Sequence, residues 1–253
     1  MSLVLYKIAI KKVPKNLRQN RDSKKMNILC TICVRAGSKG LRGKNFLKIG
    51  KKNLITYTLE KAKKSNLFDQ ITVSTDSKKI KKIKKKNRKV FFIKRPKYLA
   101  NDKACKGDAI RHALILSEKQ YNKKFDIIID LDATSPLRSV SDIRSALKIF
   151  KNTNSDNLFS VNESRKNPYF NMVELKNKKV RLVKKYKKDL YRRQDAPITY
   201  DMNASIYIWK RPIILKSNNI FRKKTSIYVM PQERSIDIDN KFELNMVKCL
   251  IKK

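Results

Sequence analysis

The chain has 253 residues, long enough to bury a substantial core, and 41% of them are hydrophobic with only 5 Gly and 7 Pro, unlike disordered or fibrous sequences. No apolar run approaches the roughly 18 residues that a membrane helix needs, so no membrane span is expected. Lys and Arg number 63 against 21 Asp and Glu, a formal charge of +42 that raises nucleic acid as a partner, but the lysines are spread along the whole chain and no specific nucleic-acid partner is expected.

Residues 1–25 join a short apolar stretch to a basic one without the basic, apolar and cleavage regions of a signal peptide. They are expected to form a loosely ordered extension, with the functional domain over 26–253. Apolar runs at 28–34, 71–75, 90–93 and 127–131 predict buried strands, and helical patterns near 53–66, 77–87, 107–121 and 141–151 separate them. That alternation predicts an α/β fold with a parallel sheet, whose ligand site lies at the carboxyl ends of the strands. The densest lysine run, 78–89, falls on a predicted helix with a narrow stripe of Ile80 and Ile83, which turns its lysines to water. Beyond Asn157 the rhythm changes. Segments 170–175 and 180–184 flank Lys176-Asn177-Lys178-Lys179, predicting a hairpin on an insertion, and a strand at 205–209 and a helix near 240–251 return to the sheet.

Four cysteines, Cys30, Cys33, Cys105 and Cys249, are too few and too scattered for a disulfide framework and suggest a reducing cytoplasm. Cys30 and Cys33 stand three apart in a strand, on opposite faces, so they cannot share a metal. The single histidine, His112, removes multi-histidine metal sites and histidine-based triads and is expected to be structural.

After the first strand comes Arg35-Ala36-Gly37-Ser38-Lys39-Gly40-Leu41-Arg42-Gly43-Lys44-Asn45. Glycines let backbone N–H groups approach an anion, and Arg35, Lys39 and Lys44 can neutralise a triphosphate as pyrophosphate departs. The spacing is not that of a P-loop, and Asn45 replaces the Ser or Thr that would meet magnesium there. Near the C-terminus Ser235-Ile236-Asp237-Ile238-Asp239, if extended, turns Asp237 and Asp239 to one side, two hard oxygen ligands of the kind Mg2+ uses together with substrate phosphates.

The motifs R-x-x-S-K-G-x-x-x-K-N, V-S-T-D, R-P-x-x-L-A-x-D, T-S-P-L-R and S-I-D-I-D occur here in the order in which they stand in the acylneuraminate cytidylyltransferases, which the chain resembles over roughly 27–251. The resemblance implies a doubly wound, mainly parallel sheet with an inserted hairpin region at 163–203 that forms a homodimer and helps bind sugar. It also implies CTP as donor, Mg2+ as cofactor and a nine-carbon α-keto sugar acid as acceptor. Carried over residue by residue, Arg35, Gly37, Ser38, Lys39, Lys44, Asn45, Ser74 and Arg95 would bind the nucleotide, with Arg35, Lys39, Lys44, Asp237 and Asp239 as the catalytic set. Asp237 and Asp239 would hold the metal. Asp132, Arg193, Asn203 and Tyr207 would meet the sugar, and a guanidinium such as Arg193 matches its carboxylate.

Departures cluster on the sugar side. Asp130-Leu131-Asp132-Ala133-Thr134-Ser135-Pro136-Leu137-Arg138 and Asn203-Ala204-Ser205-Ile206-Tyr207 look more like the legionaminic acid branch than the sialic acid one, and Phe170 with Met202 suggests an apolar end to the acceptor site. On the nucleotide side, Lys106 follows Cys105 where the sialic acid enzymes commonly have serine, which leaves the base contact open. Two alternatives of related chemistry remain, a cytidylyltransferase for the eight-carbon acid Kdo and a hexose-phosphate nucleotidyltransferase; the alternative of another class is a basic nucleic-acid-binding protein. For the reaction itself, transfer of CMP to the anomeric hydroxyl, either Asp132 or the metal site is left as the proton acceptor.

Overall fold

Along the first strand, β1 (Ile28–Cys33), successive side chains enter different apolar clusters, Ile28, Cys30 and Ile32 on one side and Leu29 on the other, which is what a strand covered on both faces requires. The computed structural model describes residues 25–37, 40–41 and 43–251; the basic extension lies almost wholly outside them. After β1 come β2 (Lys48–Ile49), β3 (Lys52–Asn53), α1 (Leu54–Ser65), β4 (Gln70–Thr75), α2 (Lys81–Lys85), β5 (Phe91–Lys94), α3 (Lys106–Tyr121), β6 (Ile127–Leu131), α4 (Val140–Asn152) and β7 (Asn157–Glu163). The chain continues through β8 (Val173–Lys176), β9 (Lys179–Leu182), β10 (Tyr200–Lys210), α5 (Arg211–Lys216), β11 (Thr225–Val229) and α6 (Lys241–Ile251).

Seven strands form the central sheet in the order β11-β7-β10-β6-β1-β4-β5. All neighbours run parallel except β10, which is antiparallel to both β6 and β7. Ile55 and Leu59 of α1, Ile83 of α2 and Ile143 and Phe150 of α4 pack on one face. On the other lie Ile110 and Leu114 of α3, Ile214 of α5 and Trp209. The sheet is therefore doubly wound, as expected, and Cys30 and Cys33 do fall in opposite layers. In a third cluster Ile238, Leu244 and Val247 pack on Ile49 and Leu54, fastening α6 and the segment before it to the start of α1.

The first four predicted strands and the helices α1, α3 and α4 stand within a residue or two of expectation, whereas the predicted 77–87 helix is only Lys81–Lys85, entered through a 3-10 turn at Lys78–Ile80; every lysine of the 78–89 run is exposed while Ile83 is buried. The hairpin differs. Its turn is the two residues Asn177 and Lys178, at φ 52° and 61°, and the strands are 173–176 and 179–182. Positive φ at both centres gives the tight turns whose twist suits paired strands. Phe170 is not in a strand because 167–172 curls on itself, the amides of Phe170, Asn171 and Met172 all donating to the carbonyl of Asn167. β10 is also longer than the predicted 205–209, with a register irregularity between Met202 and Tyr207 where Ala204 takes a φ of 51°.

Helix α4 starts with a capping box in which Asp142 has a second use. The Ser139 hydroxyl accepts from the Asp142 amide at 3.1 Å and the Asp142 carboxylate accepts from the Ser139 amide at 2.7 Å. That carboxylate, wholly buried, also accepts from Tyr228 Oη at 2.8 Å and from Arg234 Nε and Nη2 at 2.9 and 3.0 Å. Burial alone would raise its pKa, yet Arg234, Ser139 and Tyr228 hold it down to about 2. A depressed carboxylate contributes stability that is present above its unfolded pKa near 4 and lost as pH falls through about 2. Asp142→Asn is therefore expected to lower unfolding free energy by about 2.5 kcal/mol at pH 7, measured by urea titration, with the gap closing near pH 2. An equal gap at both pH values would rule this origin out.

Candidate active site

The carboxyl ends of β1, β5 and β6 open onto one cavity of about 430 Å³, and the loops leaving those strands line it together with the segment at Asp237 and Asp239. Arg35, Lys44, Asn45, Arg95, Asp132, Asp237 and Asp239 all reach it, so most of the expected nucleotide and metal set converges. Arg35 donates to Asp102 at 2.7 Å and to the Asn101 carbonyl at 3.1 Å. Lys44 is paired with Asp239. Asn45 is buried and donates to the Arg35 carbonyl at 3.2 Å, tying the two ends of the loop together.

Ser74 lies beneath the cavity. It is fully buried, and its hydroxyl and carbonyl accept from Arg95 at 3.2 and 2.9 Å, so its visible work is to aim the guanidinium. Gly37 is exposed and does not line the cavity, while Ser38 and Lys39 fall outside the described residues. Gly40 has a steric reason to be glycine, because a Cβ there would run into the carbonyl of Asp239.

The expected sugar-side residues are dispersed. Asp132 is at the cavity, and Tyr207 stands behind it with its ring centroid 4.9 Å from the Lys106 ammonium. Asn203 is buried away from the cavity and hydrogen-bonded on both ends, accepting from the Ser160 hydroxyl at 2.6 Å and donating to Ser235 at 3.1 Å. Arg193 belongs to a second concavity with Glu163, Ser164, Arg165 and Gln232, where it donates to the Ser164 carbonyl at 2.8 Å. Neither Phe170 nor Met202 lines the main cavity.

Three groups carry more of the site than the sequence indicated. Lys106, noticed only as a departure, forms ion pairs with Asp130 at 2.9 Å and with Asp132 at 2.6 Å, the latter also a hydrogen bond. Asp130, fully buried, accepts from the Thr31 hydroxyl at 2.7 Å. Arg138 is also fully buried and donates to the carbonyl of Ser205 at 2.6 Å and to that of Asp132 at 3.2 Å. A signal for Lys106 existed, since a lysine at a helix N-terminus runs against the dipole and asks for an anionic partner.

Electrostatics divide the carboxylates. Burial would raise Asp132, but Lys106 and Thr134 hold it down to about 2. Asp237 is pushed up to about 6, first by burial and then by the neighbouring Asp132 carboxylate, and its Oδ1 is buried without a hydrogen-bond partner. Among the described residues the lining holds four cations, Arg35, Lys44, Arg95 and Lys106, against four carboxylates, Asp102, Asp132, Asp237 and Asp239. Such a lining can grip phosphate from one side and place carboxylates against a cation or sugar hydroxyls from the other.

A family model described as Cytidylyltransferase matches residues 29–249. Over 225 residues the chain is 44% identical to post-translational flagellin modification protein B of Campylobacter coli, covering 89% of this chain and 95% of that one. It is also 44% identical over 224 residues to the CMP-N,N'-diacetyllegionaminic acid synthase of Campylobacter jejuni, covering 88% and 94%. A crystal structure of 4-diphosphocytidyl-2C-methyl-D-erythritol synthase superposes with a TM-score of 0.66 at 10% identity, over 90% of this chain and 99% of that one, and shares the fold.

The two glycines of the first loop should respond in opposite ways to an added methyl. Gly40→Ala is expected to destabilise by about 1–3 kcal/mol, because the Asp239 backbone must move. Gly37→Ala meets nothing within 4 Å and should be neutral or slightly stabilising. Thermal unfolding of the two variants beside the parent decides it, and equal melting temperatures would show the contact to be soft.

Proposed function

The chain belongs to the cytidylyltransferase family and is a nucleotidyltransferase, and from that premise we propose that it transfers CMP from CTP to the anomeric hydroxyl of a nine-carbon α-keto sugar acid of the legionaminic type. The observation that carries this reading is the meeting of Arg35, Lys44 and Arg95 with Asp132, Asp237 and Asp239 in one cavity at the strand ends. The acceptor oxygen bonds to the α-phosphorus of CTP as the bond to pyrophosphate breaks, and the hydroxyl proton passes to solvent water. Arg35, Lys44 and Arg95, with Lys39, bind the phosphates and offset the charge that grows on the leaving group. Asp132, held low by Lys106, is a weak proton acceptor and suits hydrogen bonds from sugar hydroxyls.

Asp237 and Asp239 fit a divalent metal. The buried Oδ1 of Asp237 has no partner, and a cation there would relieve the repulsion from neighbouring carboxylates. Mg2+ is commonly held by one or two carboxylates together with substrate phosphates, and Asp237 and Asp239 both reach the cavity. When bound, Mg2+ would neutralise phosphate charge.

The β8–β9 hairpin supports a homodimer: Val173, Leu175 and Val180 are 61%, 75% and 70% exposed on strands that pair only with each other. A second copy packed there would complete the acceptor side with residues such as Arg193, Phe170 and Met202, which in one chain stand apart from the cavity. The working compartment is the reducing cytoplasm. Among the described residues no helix is long and apolar enough to cross a membrane, and all four cysteines are free.

Pyrophosphate release from CTP, Mg2+ and acceptor should be abolished by Asp237→Ala or Asp239→Ala, and kcat/KM for CTP should fall about 100-fold or more in Arg35→Ala and Lys44→Ala. Near-normal turnover in these variants would move the site elsewhere. Side by side, the legionaminic-type acid should exceed N-acetylneuraminic acid in kcat/KM by up to about 100-fold, since apolar sites reject an added hydroxyl only that well. A preference for neuraminic acid would sink the assignment of the acceptor. The double variant Leu175→Asp/Val180→Asp should sediment as a monomer, and an unchanged dimer would place the interface on another face.

A further inference from the structure

Lys106 is the first residue of α3, where exposed amides carry the positive end of the helix dipole and a cation is disfavoured. The preceding Cys105 provides no side-chain cap. What stabilises the ammonium comes from the sheet: Asp130 at 2.9 Å, Asp132 at 2.6 Å and the ring of Tyr207 at 4.9 Å. The two carboxylates are two residues apart at the end of β6 and so share a side of the strand. Asp130 is committed to the interior, fully buried and held by Thr31. Asp132 is the member of the pair that lines the cavity, and its second oxygen accepts from the Thr134 hydroxyl at 3.0 Å.

Remove the ammonium, and two like charges face each other across the cavity floor with nothing between them. Asp132 would then swing toward solvent or take up a proton, and an acceptor carrying its own carboxylate would meet a more negative surface. The two departures noted in the sequence, lysine at 106 and Asp132-Ala133 before the T-S-P-L-R motif, are thus a single contact in space.

We propose that Lys106 is a positioning residue for the acceptor: by bridging Asp130 and Asp132 it fixes the Asp132 carboxylate at the cavity, where the hydroxyls of a polyhydroxy acid bind it. The inference rests on the function proposed above, and it adds that Lys106 acts on acceptor binding through Asp132 and not by touching CTP.

A double-mutant cycle on the full chain tests it, with saturating CTP and Mg2+ and N,N'-diacetyllegionaminic acid as the varied acceptor. Lys106→Met should raise the acceptor KM about tenfold or more, with a smaller change in kcat and an unchanged KM for CTP, and Lys106→Arg should restore much of the loss. Asp132→Asn should raise the acceptor KM as well. The double variant Lys106→Met/Asp132→Asn should be no worse than Asp132→Asn alone, because the lysine has nothing left to position. Multiplying effects in the double variant, or a Lys106→Met enzyme whose main defect is in CTP, would overturn the proposal. Should Lys106→Met not fold, the same cycle is run with Lys106→Gln, whose neutral amide can donate to one carboxylate but cannot offset the charge of both; the same two results decide. A parent enzyme that releases no pyrophosphate from CTP with any nine-carbon acid would instead overturn the proposed function, whatever the cycle shows.

Discussion

Arg138 brings a full positive charge into the interior and meets it with backbone oxygen in place of a carboxylate, donating to the carbonyls of Asp132 and Ser205. Burial lowers its pKa only to about 10, so the group stays cationic and must be solvated by whatever surrounds it. That demand fixes two pieces of chain at once. The exit of β6, which carries Asp132, and the irregular part of β10 around Ser205 are held to the same guanidinium, and the antiparallel β10 is thereby locked beside the parallel half of the sheet. With the backbone of Asp132 set by Arg138 and its side chain by Lys106, the cavity floor has little freedom to rearrange.

Charge works on two scales in this molecule. The chain as a whole is at +42, yet the cavity lining described here is balanced between cations and carboxylates. Long-range attraction therefore belongs to the surface, where the exposed lysines of α2 and the adjoining residues draw anions in, and it weakens as salt shortens the Debye length to about 8 Å at physiological strength. Selectivity belongs to the short-range pairs. Asp102 orients Arg35 and Asp239 orients Lys44 at the cavity, which limits the freedom these cations would lose on gripping a phosphate.

The sequence made the parallel half of the fold legible because β1, β4, β5 and β6 are continuous apolar runs and the helices between them have clear stripes. β7 and β11 were harder to see. Asn157, Ser160, Thr225 and Ser226 break their apolar character, and polar groups among them are used in the sheet, as when the Ser160 hydroxyl accepts from the Ile206 amide and donates to Asn203. The phosphate-side cluster was readable for a similar reason: its residues sit in short loops directly after strands, so order in sequence maps onto nearness in space. The acceptor side was not. Asn203 matches the family's motif but is buried as a support for the loop at Ser235, as Ser74 on the nucleotide side is for Arg95, and Arg193 stands in a different concavity. Motif spelling carries no information about which way a side chain turns, whereas the mismatch between Lys106 and its helix dipole does.

The pairing of Lys44 with Asp239 joins residues 195 positions apart, and Gly40 packs on the backbone of the same Asp239. A ribosome adding about 5–20 residues per second needs about 10–40 s to cover that distance. During that interval the basic loop is already outside while the acidic segment that completes it has not been made. Long-range closures of this kind form late and slow the folding of the whole. A nascent chain of this protein consequently passes through a stage in which it is cationic at the loop and incomplete at the site, until the segment at Asp239 is made and α6 docks against Ile49 and Leu54.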